Sequence, residues 1–168
     1  FDRTCLHEVL PSQPLSQVLD LHWDYQIRLI QPAISYVFLV GWTKEPAISS
    51  DLIRQVKGAI NEVFLKESQS AVKILEKGLR EGNQKEIETS IKCADKNLKS
   101  LNPLIYTPAL KELQEATEGL SVCAKSSGAG GGDCGIALSF DPVETQTLIE
   151  RWKEKNIEVI YQERMGDS

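Results

Sequence analysis

The order of the predicted elements indicates an α+β fold with a single sheet. An apolar, β-prone stretch at residues 35–42 is followed by a long region of helical periodicity, and then by two strand-like stretches in close succession. One more helix and a final alternating stretch follow. Strands separated by helical crossovers predict a sheet with helices on one face. The predicted architecture is therefore the ferredoxin-like split β-α-β plan, with an enlarged helical first crossover.

The amino-terminal region, residues 1–31, differs from the rest of the chain. It contains a proline-rich stretch and a short strand candidate, "QIRLIQP", at residues 26–32. We expect it to be the tail of an upstream domain or a connecting segment, and residues 32–168 to form a C-terminal domain. The next stretch, "SYVFLVGW" (35–42), is continuously apolar, which is typical of a buried central strand.

Four helices are predicted in the first crossover, each from apolar residues that recur on one face. The first begins after Ser50 as its cap, and the second ends near Gly82. The third stops before Pro103, and the fourth begins at Thr107 with Pro108 in its first turn. Their apolar positions are, in order, Leu52, Val56, Ile60 and Val63; Val72, Leu75 and Leu79; Ile87, Ile91, Ala94, Leu98 and Leu101; and Leu110, Leu113 and Ala116.

The last part of the chain predicts a hairpin, a helix and a strand. The hairpin strands are residues 120–125 and 135–140, with a glycine-rich loop between them. The helix starts at Asp141 as its cap, and Glu144 is placed to reach back as in a capping box. Residues 157–163 alternate between apolar and polar side chains and predict the last strand.

The loop lies within "AKSSGAGGGDCGIALSF", residues 124–140. A flexible linker is the plain alternative, but strands abut both ends, and a simple hairpin needs only about two to five loop residues. The loop also carries Lys125 and Asp133 at its edges. Glycines permit positive φ and close approach of another group, and successive N–H groups in such a turn form a concavity that binds anions. The predicted ligand of the loop is a phosphoryl group.

Two common phosphate-binding loops do not describe this stretch. A Walker A loop needs Lys and then Ser or Thr after its last glycine, and neither follows here. The pattern G-x-G-x-x-G does occur at Gly130, Gly132 and Gly135. In a dinucleotide-binding fold that pattern opens a helix, whereas here it opens the predicted strand "GIALSF", so we interpret the match as accidental.

The stretch "AKSSGAGGGDCGIALSFD" resembles the third conserved motif of the GHMP kinases. Its form "GGGDCGIAL" is most similar to that of the bacterial members that phosphorylate 5-phosphomevalonate. "FLVGWTKEPAISSDLI" and "IYQERMG" also resemble those members, so that the likeness extends over nearly the whole chain. The resemblance implies the C-terminal domain of such a kinase, with the ferredoxin-like plan described above.

The resemblance implies transfer of the γ-phosphoryl group of ATP to 5-phosphomevalonate, giving 5-diphosphomevalonate, with Mg²⁺ bridging phosphate oxygens. The family's ATP loop, P-x-x-x-G-L-G-S-S-A, is absent from this sequence. We therefore expect an upstream half to supply that loop and the catalytic aspartate and lysine. No catalytic residue and no metal ligand is then expected in this chain, and the isolated fragment is expected to be inactive. Alternatives are another GHMP kinase, such as mevalonate kinase, or a ferredoxin-like small-molecule-binding or regulatory module.

The resemblance also implies roles for the loop residues. The residues expected near the substrate phosphate are Lys125, Ser126, Ser127, Gly128, Ala129 and Gly130. The residues expected to shape the loop are Gly131, Gly132 and Asp133. Lys125 either faces the phosphates or only flanks the strand. For Asp133 we favour bonds to loop amides over metal binding.

A few other residues carry reactive or charged groups. His7 and His22 are general-base candidates, although surface positions fit them better. Cys134 is either a nucleophile or, as we favour, a packed thiol. Lys44 and Glu45 follow the first strand and suit either a ligand contact or a simple turn. The alternating charges of residues 76–99 predict the solvated face of a helix pair.

The bulk composition limits the class of protein. The net charge is −5, which argues against nucleic acid as a partner. No apolar run approaches the roughly 20 residues of a membrane span, and no signal-peptide pattern is present, so no membrane partner is expected. The chain begins at Phe1, and its only methionine is Met165, from which we expect a processed chain or part of a longer one. The cysteines predict buried, reduced thiols and a cytoplasmic location; they are Cys5, Cys93, Cys123 and Cys134.

Overall fold

The computed structural model describes residues 29–46, 56, 59–128 and 130–166. The strands and helices there follow one another in the predicted order. They are β1 (Tyr36–Trp42), α1 (Glu62–Glu81), α2 (Gln84–Leu101), a 3-10 turn (Pro103–Ile105), α3 (Pro108–Glu115), β2 (Val122–Ser126), β3 (Cys134–Ser139), α4 (Pro142–Glu154) and β4 (Glu158–Met165).

The sheet has four strands in the order β2-β3-β1-β4, and each neighbouring pair is antiparallel. This order confirms the split β-α-β plan, and β1 is the central strand that its apolar run predicted. The strand predicted at residues 26–32 is wrong where it can be compared, because residues 29–32 are not in a strand. Residues 26–28 lie outside the described residues, as does most of the region 1–31, so the proposed domain boundary stays a prediction.

Helices cover both faces of the sheet, and the expectation of a single covered face is wrong. Leu39 and Ala137 are paired across β1 and β3, so they lie on one face, and Phe38 and Leu138 pair on the other. Each face has its own apolar cluster. The first contains Leu39, Leu113, Ala116, Val122, Ala137, Leu148, Trp152 and Ile157, and the second contains Tyr36, Ile87, Ile91, Cys123 and Leu138 with Leu75 and Leu79 packed against them.

The α1–α2 hairpin is capped by its own sequence. Asn61 accepts a hydrogen bond from the first turn of α1, and Gly82 ends that helix at φ 68° as predicted. The helix predicted after Ser50 lies largely outside the described residues. Ile60 is not helical, and Val63 belongs to α1 and is 62% exposed, so its place on the first helix is wrong. Val72, predicted on an apolar face, is 64% exposed.

In the carboxy-terminal half of the chain, α4 packs against the sheet through the first apolar cluster. Asp141 caps α4 by accepting hydrogen bonds from two backbone N–H groups of its first turn, as predicted. Glu144 does not complete a capping box, because its carboxylate accepts instead from the N–H of Ser121 at 2.6 Å. The indole N–H of Trp152 donates to the carbonyl of Leu113 at 2.9 Å, which ties α4 to α3.

The thiols differ in their surroundings. Cys123 is buried, Cys134 is half-buried, and Cys93 is exposed, so the expectation that all four cysteines are buried is wrong at Cys93. Cys5 lies outside the described residues. Over the residues that the structure describes, no helix is both long and apolar enough to cross a membrane.

Candidate functional site

The glycine-rich loop occupies the tip of the β2–β3 hairpin, as predicted. Four consecutive residues in it have a positive φ, which is 81° at Gly130, 83° at Gly131, 122° at Gly132 and 66° at Asp133. Glycine adopts such angles without steric cost, and aspartate is among the few other residues that tolerate them. The loop is therefore a defined left-handed turn rather than an extended spacer.

The first part of the loop is attached to the 3-10 turn that precedes α3. The N–H of Gly131 donates to the carbonyl of Ile105 at 2.8 Å. A Cβ atom at Gly130 would lie 2.4 Å from that same carbonyl oxygen and from the Ile105 side chain. Only glycine fits at this contact.

The second part of the loop is attached to the segment that follows β1. The carbonyl of Asp133 accepts from both the N–H and the hydroxyl of Thr43, each at 2.8 Å. The N–H of Asp133 donates to the carbonyl of Glu45 at 2.7 Å. A Cβ atom at Gly132 would approach the Pro46 carbonyl to 3.0 Å. Asp133 thus anchors the loop through its backbone, and its carboxylate is exposed.

The outer edge of β2 is covered by side chains just before the loop begins. The Gln114 amide donates to the carbonyl of Ala124 at 3.0 Å, and the Tyr106 hydroxyl accepts from the N–H of Ser126 at 3.1 Å. The Lys125 ammonium donates to the carbonyl of Ser126. Since β2 is an edge strand, these bonds satisfy backbone groups that no neighbouring strand reaches.

Asp95 of α2 connects these side chains. One of its oxygens accepts from the Tyr106 hydroxyl and, at 2.7 Å, from the Gln114 amide, while the other pairs with Lys99 at 2.8 Å. Lys99 also lies 4.6 Å from the centre of the Tyr106 ring. Burial and the hydrogen bond to Asp95 raise the pKa of Tyr106 well above its ordinary value. We call these four residues the Asp95 cluster: Asp95, Lys99, Tyr106 and Gln114. Two of them, Tyr106 and Gln114, bond the end of β2 immediately before the loop.

The middle of the loop is open to solvent. Ser127 and Gly128 are exposed, and a Cβ atom at Gly128 would meet nothing within 4 Å. Among the described residues, no group accepts a hydrogen bond from the N–H of Gly128 or Gly130. Ala129 lies outside the described residues. Donors that are free and held on a fixed turn are suited to an anion.

Lys125 and Ser126 lie at the inner end of this open stretch. Burial lowers the pKa of Lys125, and the nearby Asp95 carboxylate opposes that shift. The Ser126 side chain is 1% exposed, and its hydroxyl donates to the Gly128 carbonyl at 3.4 Å. The structure therefore brings Ser126 beside Gly128, whereas the Lys125 ammonium contacts the Ser126 carbonyl, so both side chains already make contacts within the chain.

The remaining predicted residues are Cys134, Lys44, Glu45, His7 and His22. Burial and Asp133 raise the pKa of Cys134, which supports a packed thiol rather than a nucleophile. Lys44 contacts Asn156 at 3.2 Å and Glu158 at 3.5 Å, away from the loop. Glu45 contributes its backbone carbonyl to the loop. His7 and His22 lie outside the described residues.

Sequence reasoning missed Thr43 and the Asp95 cluster. Asp95 follows Ile87 and Ile91 at steps of four, so it continues their buried face and is 9% exposed. A carboxylate four residues after Ile91 could have indicated a buried charge, but it lies within a run of alternating charges that suggests a solvated face. Thr43 and Tyr106 carry no comparable signal, because their partners are distant in sequence.

Known proteins resemble this chain over most of its length. The family model for the C-terminal domain of GHMP kinases matches residues 58–158. A phosphomevalonate kinase from Streptomyces sp. (strain CL190) is 29% identical over 148 residues, which are 82% of this chain and 40% of that protein. The chain spans about half the length of the relatives it matches.

Solved structures resemble the chain in the same way. Streptococcus pneumoniae phosphomevalonate kinase, in complex with phosphomevalonate and AMPPNP, aligns with a TM-score of 0.86 and 45% identity, over 98% of this chain and 50% of that one. L. major mevalonate kinase aligns with a TM-score of 0.69 and 15% identity, over 84% of this chain and 45% of that one, which shows the fold alone. On the strength of the family match, the chain belongs to the GHMP kinases, and its matched part is their C-terminal domain.

Proposed function

We propose that this chain is the C-terminal part of an ATP-dependent kinase that phosphorylates 5-phosphomevalonate, in the mevalonate pathway of isoprenoid biosynthesis. The observation that carries the proposal is that, among the described residues, the N–H groups of Gly128 and Gly130 have no acceptor, in a loop that is attached at both ends. The 45% identity to a phosphomevalonate kinase supports this substrate over mevalonate.

The reaction transfers the γ-phosphoryl group of ATP to a phosphate oxygen of 5-phosphomevalonate and releases ADP. The attacking oxygen and the transferred group are both negatively charged, so the enzyme must position them and balance their charge. In this proposal the N–H groups of Gly128, Ala129 and Gly130 bind the acceptor phosphate, and Ser127, whose N–H already donates to the Cys134 carbonyl, offers its exposed hydroxyl. Lys125 and Ser126 border that site, and Gly131, Gly132 and Asp133 keep the turn in shape.

ATP and Mg²⁺ are the proposed cofactors of the whole enzyme. The donors of the loop suit phosphate oxygens, whereas Mg²⁺ requires oxygen ligands such as carboxylates. Among the described residues no group of three His, Cys, Asp or Glu side chains could hold a metal ion. As the resemblance to the family implies, the proposal assigns the ATP loop and the catalytic aspartate and lysine to the remaining half of the protein, and it assigns no metal ligand to this chain. The free thiols support the cytoplasm as the compartment.

An ADP-release assay tests the proposal directly. The full-length protein is expected to release ADP when 5-phosphomevalonate is added, and to do so faster than with mevalonate. The isolated chain is expected to show no turnover. Turnover by the isolated chain would contradict the division of the active site, and a preference for mevalonate would contradict the substrate.

Calorimetry separates the kinase from a regulatory module. For the kinase, binding of 5-phosphomevalonate is expected to be weak with the isolated chain and tighter with the full-length protein in the presence of an ATP analogue. Tight binding of an amino acid or another metabolite to the isolated chain would favour the ferredoxin-like module instead.

A further inference from the structure

We infer that Tyr106 is a positioning residue for the acceptor phosphate, acting through the backbone of Ser126. The inference rests on the proposed function and deepens it. Tyr106 lies one residue after Ile105, so a single short segment holds the loop at two points, the N–H of Ser126 and the N–H of Gly131. The exposed residues Ser127 and Gly128 and the N–H group of Gly130 lie between these two points.

The hydroxyl of Tyr106 is held by two hydrogen bonds, one to Asp95 and one from Ser126. It donates to the Asp95 carboxylate, so its lone pairs remain free to accept from the N–H of Ser126. Asp95 is held in turn by the Gln114 amide and by Lys99. A hydrogen bond to an ionised carboxylate is stronger than one between neutral groups, which makes the acceptor position well defined.

The hydrogen bond from Ser126 to Tyr106 lies at the end of the paired part of β2. The ladder between β2 and β3 ends with Ser126 opposite Gly135, and beyond it only the bond from Ser127 N–H to the Cys134 carbonyl continues the pairing. The next residues are exposed. The orientation of the Gly128 N–H group, which has no such bond, therefore depends on how firmly Ser126 is held at the outer edge.

Removal of the hydroxyl should thus affect the acceptor phosphate more than ATP. Tyr106→Phe keeps the ring against Lys99 but leaves the buried N–H of Ser126 without its acceptor. In the full-length enzyme we expect KM for 5-phosphomevalonate to rise roughly five- to tenfold, on the scale of one lost hydrogen bond. KM for ATP and kcat should stay within about twofold, since these depend on the other half of the protein.

Tyr161→Phe is the matched control. Tyr161 lies on β4, and its hydroxyl also donates to a carboxylate, that of Glu163, but at an exposed position. This variant should match the unaltered enzyme in all three constants. Urea denaturation of both variants separates loss of the fold from loss of positioning. A third variant, Asp95→Asn, keeps an oxygen acceptor for Tyr106. It should raise KM for 5-phosphomevalonate by about two- to threefold.

The outcomes separate the two claims. Unchanged KM values in a folded Tyr106→Phe enzyme, or equal increases of both KM values, would overturn the inference alone. If Tyr106→Phe does not fold, Asp95→Asn decides, and a KM ratio equal to that of the unaltered enzyme would again overturn it. No turnover of 5-phosphomevalonate by the unaltered protein would overturn the proposed function, and this inference with it.

Discussion

The two attachments of the glycine loop use different chemistry. At the first, Ser126–Gly131, a buried side-chain network and the Ile105 carbonyl hold the chain. At the second, Gly132–Cys134, two of the three bonds run to the backbone of residues 43–46, and the third comes from the Thr43 hydroxyl. Side-chain bonds can be removed by substitution, whereas backbone bonds persist. The first attachment should therefore be the more sensitive one, and the second should tolerate change.

The largest expected effect is that of Gly130→Ala. The new Cβ atom would lie 2.4 Å from the Ile105 carbonyl at a residue with φ 81°. Steric overlap and the left-handed backbone together should lower the free energy of unfolding by about 3 kcal/mol, measured by urea denaturation. Gly128→Ala is the control, because its Cβ meets nothing within 4 Å, and it should change stability by less than about 0.5 kcal/mol. Equal losses in both variants would contradict a tight first attachment.

The next effect concerns the network itself. Asp95→Ala removes the acceptor shared by Tyr106, Gln114 and Lys99, and should cost about 2 kcal/mol of unfolding free energy. Glu88→Ala is matched to it, since Glu88 also lies on α2 and pairs with a lysine four residues later, Lys92. The lysine of that pair is 71% exposed, so removal of the pair should cost less than about 1 kcal/mol. A similar loss in the two variants would show that Asp95 acts as an ordinary surface charge.

A smaller effect is expected at the second attachment. Thr43→Val deletes one of the two bonds to the Asp133 carbonyl but leaves the backbone N–H in place. The loss of unfolding free energy should be about 1 kcal/mol, and Thr43→Ser, which keeps a hydroxyl, should recover most of it. A loss larger than that of Asp95→Ala would reverse the ranking of the two attachments.

The smallest effect is a change in pH dependence. The strands that carry the two attachments each contain a cysteine, and burial raises the pKa of Cys123 on β2 to about 12. The folded state then binds this proton more tightly than the unfolded state. The stabilising contribution is full below the unfolded pKa, about 8.5, and is lost as the pH rises towards the folded value.

Between about pH 8 and about pH 9 the unfolding free energy should fall by roughly 0.7 kcal/mol on account of Cys123. Cys123→Ala should remove that part of the slope. Cys134→Ala should change the slope less, because Cys134 is only half-buried and its pKa is raised less strongly. Identical slopes in the two variants would contradict the difference in burial.

Some features followed directly from local sequence. The order of strands and helices, the caps at Thr107 and Asp141, and the left-handed end of α1 at Gly82 were predicted and are confirmed. Each depends on residues within a few positions of one another. The position of the glycine loop at a hairpin tip was predicted for the same reason, since both flanking strands adjoin it.

Other features were mispredicted or missed because they depend on packing. Periodicity finds the apolar side of a helix but not the face of the sheet that the helix covers, so the expectation of one covered face was wrong. The capping-box role of Glu144 was wrong because Ser121, a competing donor, comes from elsewhere in the chain. Asp95 was assigned to a solvated face because charge patterning does not report burial.

The amino-acid sequence by itself determined the order of elements, the helix caps and a loop able to adopt positive φ, because glycine content and side-chain periodicity act over a few residues. Only the tertiary structure decided what holds that loop. Its partners, Thr43, Ile105 and Tyr106, are separated from it by about 20 to 90 residues. Such contacts depend on how the helices and strands pack, and a hydrogen-bond donor becomes specific only when the fold places an acceptor within reach.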